Sequence, residues 1–132
     1  MTTARSVLVT GGNGFIGRHL VRRLLESGCS VTLLQRSRDR VDPRSELLHV
    51  DRLDAVSIVA ALKGRRFEQL FHLAGAGVRP DERDAATIFQ VNVEATYAIV
   101  RMAAEWAPRA IVIAGSGAEY RLDGVRGSVA EG

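Results

Sequence analysis

A short apolar strand that runs into a glycine-rich turn constrains this chain more than any other stretch. The strand covers residues 6–10, and the turn over 11–17 reads Gly-Gly-Asn-Gly-Phe-Ile-Gly. Apolar residues then recur at helical spacing, at Ile16, Leu20, Val21, Leu24 and Leu25. The glycines therefore lie between a buried strand and a helix N-terminus, where unpaired backbone N–H groups and the helix dipole favour a phosphate group.

Three glycines of this turn have distinct expected roles. Gly11 permits the tight turn, Gly14 leaves room for a pyrophosphate near the backbone, and Gly17 lets the helix pack closely on the strand. The alternative is a glycine-rich turn without a ligand. The order of strand, turn and helix favours phosphate binding, because the mechanism requires that order.

Size and composition fit one globular domain. The chain has 132 residues, 46% of them hydrophobic, and a net charge of +3. No apolar run approaches the roughly 20 residues that a bilayer requires, and residues 1–6 are too short and polar for a secretory signal, so we expect no membrane partner and a cytoplasmic location. Cys29 is the single cysteine, so it cannot form an internal disulfide or a cysteine metal site, and we expect no metal. No basic run is interleaved with aromatic residues, so we expect no nucleic-acid partner.

Strands and helices alternate along the chain. Further strands are predicted at 31–34, 47–50, 69–74 and 110–114, helices at 55–63 and about 83–106, and a loop from 120 onward. Continuous apolar strands suit a parallel sheet covered on both faces. The pattern predicts an α/β fold of the Rossmann type, a doubly wound parallel sheet of five strands in order 3-2-1-4-5, with a ligand crevice where strands 1 and 4 meet.

The end of the second strand bears on the choice of dinucleotide. An acidic residue there would bind a ribose 2′-hydroxyl, but Gln35 occupies the position and Arg36, Ser37 and Arg38 follow. Guanidinium groups bind phosphate through charge-assisted bonds, so this segment favours the 2′-phosphate of NADP over NAD. The alternative is that both arginines are solvated loop residues.

Four stretches resemble the N-terminal part of the extended short-chain dehydrogenase/reductases, which include nucleotide-sugar epimerases and dehydratases. They are the turn with its preceding threonine (10–17), Asp-Arg-Leu-Asp (51–54), His-Leu-Ala-Gly (72–75) and Asn-Val-Glu-Ala-Thr (92–96). The resemblance covers nearly the whole chain, although Ala95 replaces the glycine usual in the last motif. It implies cofactor contacts from Gly11, Gly14, Phe15, Ile16, Gly17, Asp51, Arg52, Leu73, Ala74, Gly75 and Asn92.

Several of these motif residues also have a structural interpretation. Asp51 could be a loop carboxylate and Asp54 a helix N-cap. His72, between Phe71 and Leu73 on a buried strand, fits a hydrogen-bonded core histidine better than a proton carrier. For Asn92 we favour a structural role, with its amide bonded to backbone.

The chemistry of the family it resembles rests on a serine, a tyrosine and a lysine. Ser116, after the fifth strand, matches the serine that orients the substrate oxygen, and Tyr120 matches a structural tyrosine of the same segment. The family's Tyr-x-x-x-Lys motif is absent, since Lys63 is the only lysine. We therefore expect the cofactor-binding part of an epimerase, dehydratase or ketoreductase, inactive without residues beyond Gly132. The alternative is a dinucleotide-binding sensor or subunit without turnover.

The long helix carries two apolar stripes. One, suited to covering the sheet, contains Ile88, Val91, Ala95, Ile99 and Met102; the other contains Phe89, Val93, Tyr97 and Val100. A second stripe needs a second partner, so we expect a homodimer or larger self-associated species. A nucleotide sugar is the substrate that the resemblance implies for a longer form.

Overall fold

The structure, a computed structural model, describes residues 3–116. The strands are β1 (Ser6–Thr10), β2 (Ser30–Gln35), β3 (Glu46–His49), β4 (Gln69–His72) and β5 (Ala110–Ile113). The helices are α1 (Phe15–Glu26), α2 (Ala55–Leu62), α3 (Ala85–Phe89), a π-helical segment (Gln90–Glu94) and α4 (Ala95–Glu105). Tyr120 and the predicted loop from 120 onward lie outside the described residues. Among residues 3–116, no helix has the length and apolar character needed to cross a membrane.

The five strands form one parallel sheet in the order β3-β2-β1-β4-β5. This confirms the predicted Rossmann-type order. Val9 of β1 is in register with Leu33 of β2 and with Phe71 of β4. The carboxyl ends of β1 and β4 meet at Thr10 and His72, and the chain crosses to opposite sides of the sheet after these two strands. This is the topological switch point at which such sheets bind ligands.

The alternation of side chains along each strand produces a core on each face of the sheet. Val7 and Val9 pack with Val21 of α1 on one face. Leu8 points to the other face, where Ile58 of α2 and Ile99 of α4 are fully buried. Helices on both faces explain why these strands are apolar at consecutive positions.

The connection from β2 to β3 contains no helix, although strands and helices alternate elsewhere along the chain. Residues 36–45 form a loop in which Asp42 accepts bonds from the backbone and guanidinium of Arg44. These bonds lower the pKa of the Asp42 carboxyl to about 2. Five charged side chains and Pro43 lie between Ser37 and Ser45, so no apolar stripe is available to hold a helix on the sheet.

The long helix begins at Ala85 and not at about residue 83. Asp84 is its N-cap, since its side chain accepts a bond from Thr87 N at 3.1 Å. The π-helical segment interrupts the helix at its centre, which the sequence did not predict. The helix ends at Glu105, and Pro108 prevents it from continuing.

The two apolar stripes of this helix have different surroundings. Val91, Ala95 and Ile99 of the first are buried against the sheet, whereas Phe89 and Tyr97 of the second are 56% and 65% exposed. Val93 is also exposed. Val100, assigned to the second stripe, in fact packs against the core. Among the described residues, the second stripe therefore has no cover over most of its length.

Candidate functional site

The glycine turn is held in a conformation that other residues could not adopt. Gly11 has φ of +69°, and a Cβ atom there would lie 2.8 Å from the backbone N of Ala74. Gly14 N donates to Gly11 O at 3.1 Å, and Gly14 O accepts from Arg18 N in the first turn of α1. The turn therefore brings the N-terminus of α1 to the carboxyl end of β1, as the phosphate-binding interpretation requires.

Gly17 provides the close packing expected of it. A Cβ atom there would lie 2.0 Å from Gly11 O and 2.8 Å from Gly12 Cα. Gly12, which had no predicted role, is also restricted, because its Cβ would lie 2.9 Å from Leu33 Cδ2. A Cβ on Gly14, by contrast, would meet only Gly11 O, at 3.3 Å.

A cavity of about 470 Å³, here called the turn cavity, lies over the glycine turn. Gly11, Asn13 and Gly14 line it from the turn, and Leu53 lines it from the segment before α2. Its other sides are formed by two groups of residues at the strand ends, which are Gln35, Arg36 and Ser37 after β2 and Leu73, Ala74 and Gly75 after β4. The cavity therefore occupies the predicted crevice between the first and fourth strands.

Gln35 is the one buried side chain of residues 3–116 that has an unpartnered polar atom. The residue is 3% exposed and lines the turn cavity. Its Nε2 donates to Ser37 O at 2.9 Å, which fixes the orientation of the amide and leaves Oε1 without a donor. A buried acceptor costs free energy unless it is satisfied, so Oε1 fits a ligand hydroxyl.

The two arginines after β2 are placed differently. Arg36 lines the turn cavity together with Ser37, whereas the exposed Arg38 does not line it. Ser37 Oγ accepts a bond from Asp39 N, which orders the start of the loop. Of the two arginines, Arg36 is therefore better placed to bind a ligand in the cavity.

The segment 51–54 contributes to the turn cavity through a residue that the sequence did not single out. Asp51 and Arg52 are exposed and do not line the cavity, but Leu53 between them and the helix does. Asp54 is the N-cap of α2, accepting from Ser57 N at 2.7 Å. That bond lowers the pKa of the Asp54 carboxyl. Its predicted interpretation as a cap is therefore confirmed.

A second cavity, of about 590 Å³ and here called the serine cavity, adjoins the first. Leu73, Ala74 and Gly75 line both cavities. Ser116 lines the second, exposed and just past the end of β5. Asn92 also lines it, and both its amide atoms bond the backbone of Ala76, with Oδ1 accepting at 2.8 Å and Nδ2 donating at 2.9 Å. Asn92 thus has the backbone-bonding role favoured from the sequence, although it is exposed and not in the core.

His72 is buried between two threonine hydroxyl groups. Its Nδ1 lies 2.7 Å from Thr10 Oγ1, and its Nε2 lies 2.8 Å from Thr96 Oγ1. Ala74 N donates to Thr10 Oγ1 at 3.2 Å. Burial lowers the pKa of His72, so the imidazole is neutral at pH 7. The structure therefore shows a hydrogen-bonded core histidine, the interpretation that its sequence context favoured.

Phe15 and Ile16 do not line either cavity. They open α1 with exposed side chains, 77% and 68% accessible, and Phe15 makes an edge contact with His19. Their backbone N–H groups lie in the first turn of α1, where such groups have no intrahelical partner.

Sequence reasoning missed several cavity residues, which are Asn13, Leu53, Ala76 and Thr96. Asn13, Leu53 and Thr96 lie inside motifs that were recognised, so their positions beside assigned residues were a usable signal. Ala76 is an ordinary apolar residue, and no feature of the sequence marks it.

The comparisons with known proteins agree on one family. The sequence profile of the NAD-dependent epimerase/dehydratase family matches residues 7–127. A putative UDP-glucose 4-epimerase of Methanocaldococcus jannaschii is 29% identical over an alignment of 116 positions, which covers 84% of this chain and 38% of that protein. The chain therefore spans well under half the length of this relative.

Solved structures show the same relationship. A UDP-galactose 4-epimerase superposes with a TM-score of 0.71 at 33% identity, covering 84% of this chain and 38% of that one. The UDP-glucose 4-epimerase of Thermus thermophilus, in complex with NAD, has a TM-score of 0.68 at 29% identity over 80% of this chain and 35% of that one. Because the family profile spans nearly the whole sequence, the chain belongs to the NAD-dependent epimerase/dehydratase family.

Proposed function

We propose that the chain binds NADP(H) in preference to NAD(H) and is the cofactor-binding part of an epimerase, dehydratase or ketoreductase that acts on a nucleotide sugar in a longer form. The observation that carries the cofactor preference is the composition of the turn cavity. Arg36 lines it, and none of its described lining residues is a carboxylate. A carboxylate there would repel a 2′-phosphate, whereas a guanidinium attracts it.

Two further features support a dinucleotide in the turn cavity. The helix N-terminus and the open space at Gly14 suit a pyrophosphate. Gln35 Oε1 is a buried acceptor without a donor, which a ribose hydroxyl would satisfy. The Thermus relative carries NAD, which supports a dinucleotide and does not bear on the 2′-phosphate.

The bound cofactor would supply a hydride acceptor or donor at its nicotinamide. This chain's part is to hold it: the turn binds the phosphates, and Gln35 and Arg36 hold the adenosine ribose. Ser116 lines the serine cavity and would orient a substrate oxygen. The proton-transferring tyrosine and lysine of the family pattern would come from a longer form.

Calorimetric titration of the chain with NADPH and NADH tests the cofactor preference. We expect the chain to bind NADPH more tightly than NADH. Arg36→Ala should weaken the binding of NADPH by about 1.5–3 kcal/mol, because one charge-assisted bond to phosphate is lost, and should change the binding of NADH little. Arg38→Ala should have a smaller effect, since Arg38 does not line the turn cavity.

Arg23→Ala is the matched control, because it removes the same charge from the last turn of α1, at the opposite end from the glycine turn. It should leave both affinities unchanged. Equal affinity of the parent chain for NADPH and NADH would contradict the proposed preference.

We also propose that the chain self-associates through the second stripe of the long helix. Phe89, Val93 and Tyr97 expose a continuous apolar strip, and Ile111, Val112 and Ile113 expose the edge strand β5. Burial of apolar surface contributes about 25 cal/mol of free energy per Å², which favours contact with a second copy over contact with solvent. Light scattering over a concentration series should therefore show a dimer or larger species.

The double variant Phe89→Glu with Tyr97→Glu should return the chain to a monomer, because two buried carboxylates would face the partner without counter-charges. Val56→Glu is the control, since Val56 is 79% exposed on α2 and does not belong to this stripe. A parent chain that is monomeric at high micromolar concentration would overturn the proposal.

A further inference from the structure

The buried chain of hydrogen bonds from Thr10 to Thr96 constrains where each proton lies. Thr10 is fully buried, and its Oγ1 already accepts the N–H of Ala74. Its own hydroxyl proton then has one available acceptor among the described residues, Nδ1 of His72 at 2.7 Å. Nδ1 is therefore unprotonated, and the neutral ring carries its proton on Nε2.

This tautomer determines what Thr96 can do. The Nε2–H of His72 donates to Thr96 Oγ1 at 2.8 Å, so Thr96 is an acceptor toward the histidine. The hydroxyl proton of Thr96 then has no hydrogen-bond acceptor within residues 3–116. If the ring carried its proton on Nδ1 instead, the hydroxyl proton of Thr10 would have no acceptor, although Thr10 is fully buried. Thr96 is only partly buried and lines the serine cavity, so its hydroxyl proton can reach a ligand there.

The described residues of the serine cavity line it with neutral polar and apolar groups. Its described lining contains no Asp, Glu, Lys or Arg side chain, and it shares Leu73, Ala74 and Gly75 with the turn cavity. A dinucleotide whose phosphates lie at the glycine turn and whose adenosine lies at Gln35 would place its other nucleoside in the serine cavity. That nucleoside, nicotinamide riboside, offers hydroxyl and carboxamide oxygens as acceptors.

We propose that Thr96 is a cofactor-binding residue whose hydroxyl donates a hydrogen bond to an oxygen of the nicotinamide nucleoside in the serine cavity, with His72 as the positioning residue that turns this hydroxyl outward. The inference rests on the proposed dinucleotide binding. A donor that simultaneously accepts a bond is polarised by it, so the chain from Thr10 strengthens the bond to the ligand.

The tautomer is tested by ¹⁵N NMR of the imidazole groups, with the His72 signals assigned by their loss in His72→Asn. We expect a protonated Nε2 and an unprotonated Nδ1, and a shift of the Nε2 signal when NADP⁺ is added. Adenosine 2′,5′-bisphosphate, which lacks the nicotinamide nucleoside, should not shift it. A proton on Nδ1 would overturn the inference.

Binding is tested with the same two probes on two variants of Thr96. Thr96→Val keeps the shape of the side chain and removes the hydroxyl. It should lower the affinity for NADP⁺ about tenfold, or roughly 1.4 kcal/mol, and change the affinity for adenosine 2′,5′-bisphosphate by less than about twofold. Thr96→Ser keeps the hydroxyl and should bind NADP⁺ as the parent does.

Three results would contradict the role of Thr96. The first is an unchanged affinity of Thr96→Val for NADP⁺. The second is an equal loss of affinity for both probes, which indicates a distorted loop after β4. The third is a Thr96→Ser variant that binds NADP⁺ as weakly as Thr96→Val does. Failure of the proposed function is a different result, because the parent chain itself would then bind no dinucleotide.

Discussion

Replacing Gly14 with valine is expected to abolish dinucleotide binding while the fold persists. Gly14 lines the turn cavity, and its φ of −75° and ψ of 179° lie in a region that valine favours. A Cβ atom there would contact only Gly11 O, at 3.3 Å, so the backbone would have to move by only a few tenths of an ångström. The two γ-methyl groups would stand where the pyrophosphate approaches the helix N-terminus.

The expected loss of affinity is more than about 100-fold, or roughly 2.7 kcal/mol, in a calorimetric titration with NADPH. The melting temperature should fall only slightly, since valine is a poorer N-cap than glycine by about 1 kcal/mol or less. A circular dichroism spectrum matching the parent would show that the fold persists. Binding within about threefold of the parent would mean that the phosphates do not lie at this turn.

The sheet could be predicted from the sequence because each strand carries its own signal. Consecutive apolar residues in β1 and β2 reflect burial on both faces, and this pattern needs no knowledge of distant contacts. The strand order is the one typical of the doubly wound Rossmann fold, which the alternation of strands and helices indicates. The bounds were less exact: β4 ends at His72, two residues before the predicted end, and Ala74 N donates to the side chain of Thr10.

The features of the fold that were missed depend on tertiary contacts. Asn92 lies in the π-helical segment and bonds the backbone of Ala76, a residue 16 positions earlier, and no local periodicity reports such a contact. Val100 was assigned to the exposed stripe because its helical spacing fits that stripe, yet it packs on the core. The inserted π turn changes the angular position of the residues that follow it, so a regular period of 3.6 residues is less exact beyond Glu94, where it misassigned Val100.

The geometry of the glycine turn could be predicted from the sequence, whereas the directions of the side chains around the turn cavity could not. Gly11 and Gly17 were assigned correctly to a tight turn and a close approach because only glycine meets those demands. Arg36 and Arg38 looked equivalent in the sequence, but only Arg36 lines the turn cavity. The unpartnered Oε1 of Gln35 depends on the position of Ser37 O, which sequence alone does not give.

Gly17→Ala is expected to destabilise the whole domain, in contrast to substitutions at Gly14. In an unobstructed helix, alanine would be more stable than glycine by about 1 kcal/mol. Here the new Cβ would lie 2.0 Å from Gly11 O, and both atoms are fixed to the backbone and cannot rotate away. Helix α1 would have to move off the turn and off Val7 and Val9, which it covers.

We expect a net loss of about 3 kcal/mol or more in the free energy of unfolding, measured by urea denaturation. Gly14→Ala is the matched control, because it makes the same chemical change three residues earlier in the same turn, where a Cβ has space. It should change the free energy of unfolding by less than about 1 kcal/mol. Equal stability of the two variants would show that α1 does not rest on the backbone of Gly11 and Gly12, and the close approach of helix and turn that defines this site would be wrong.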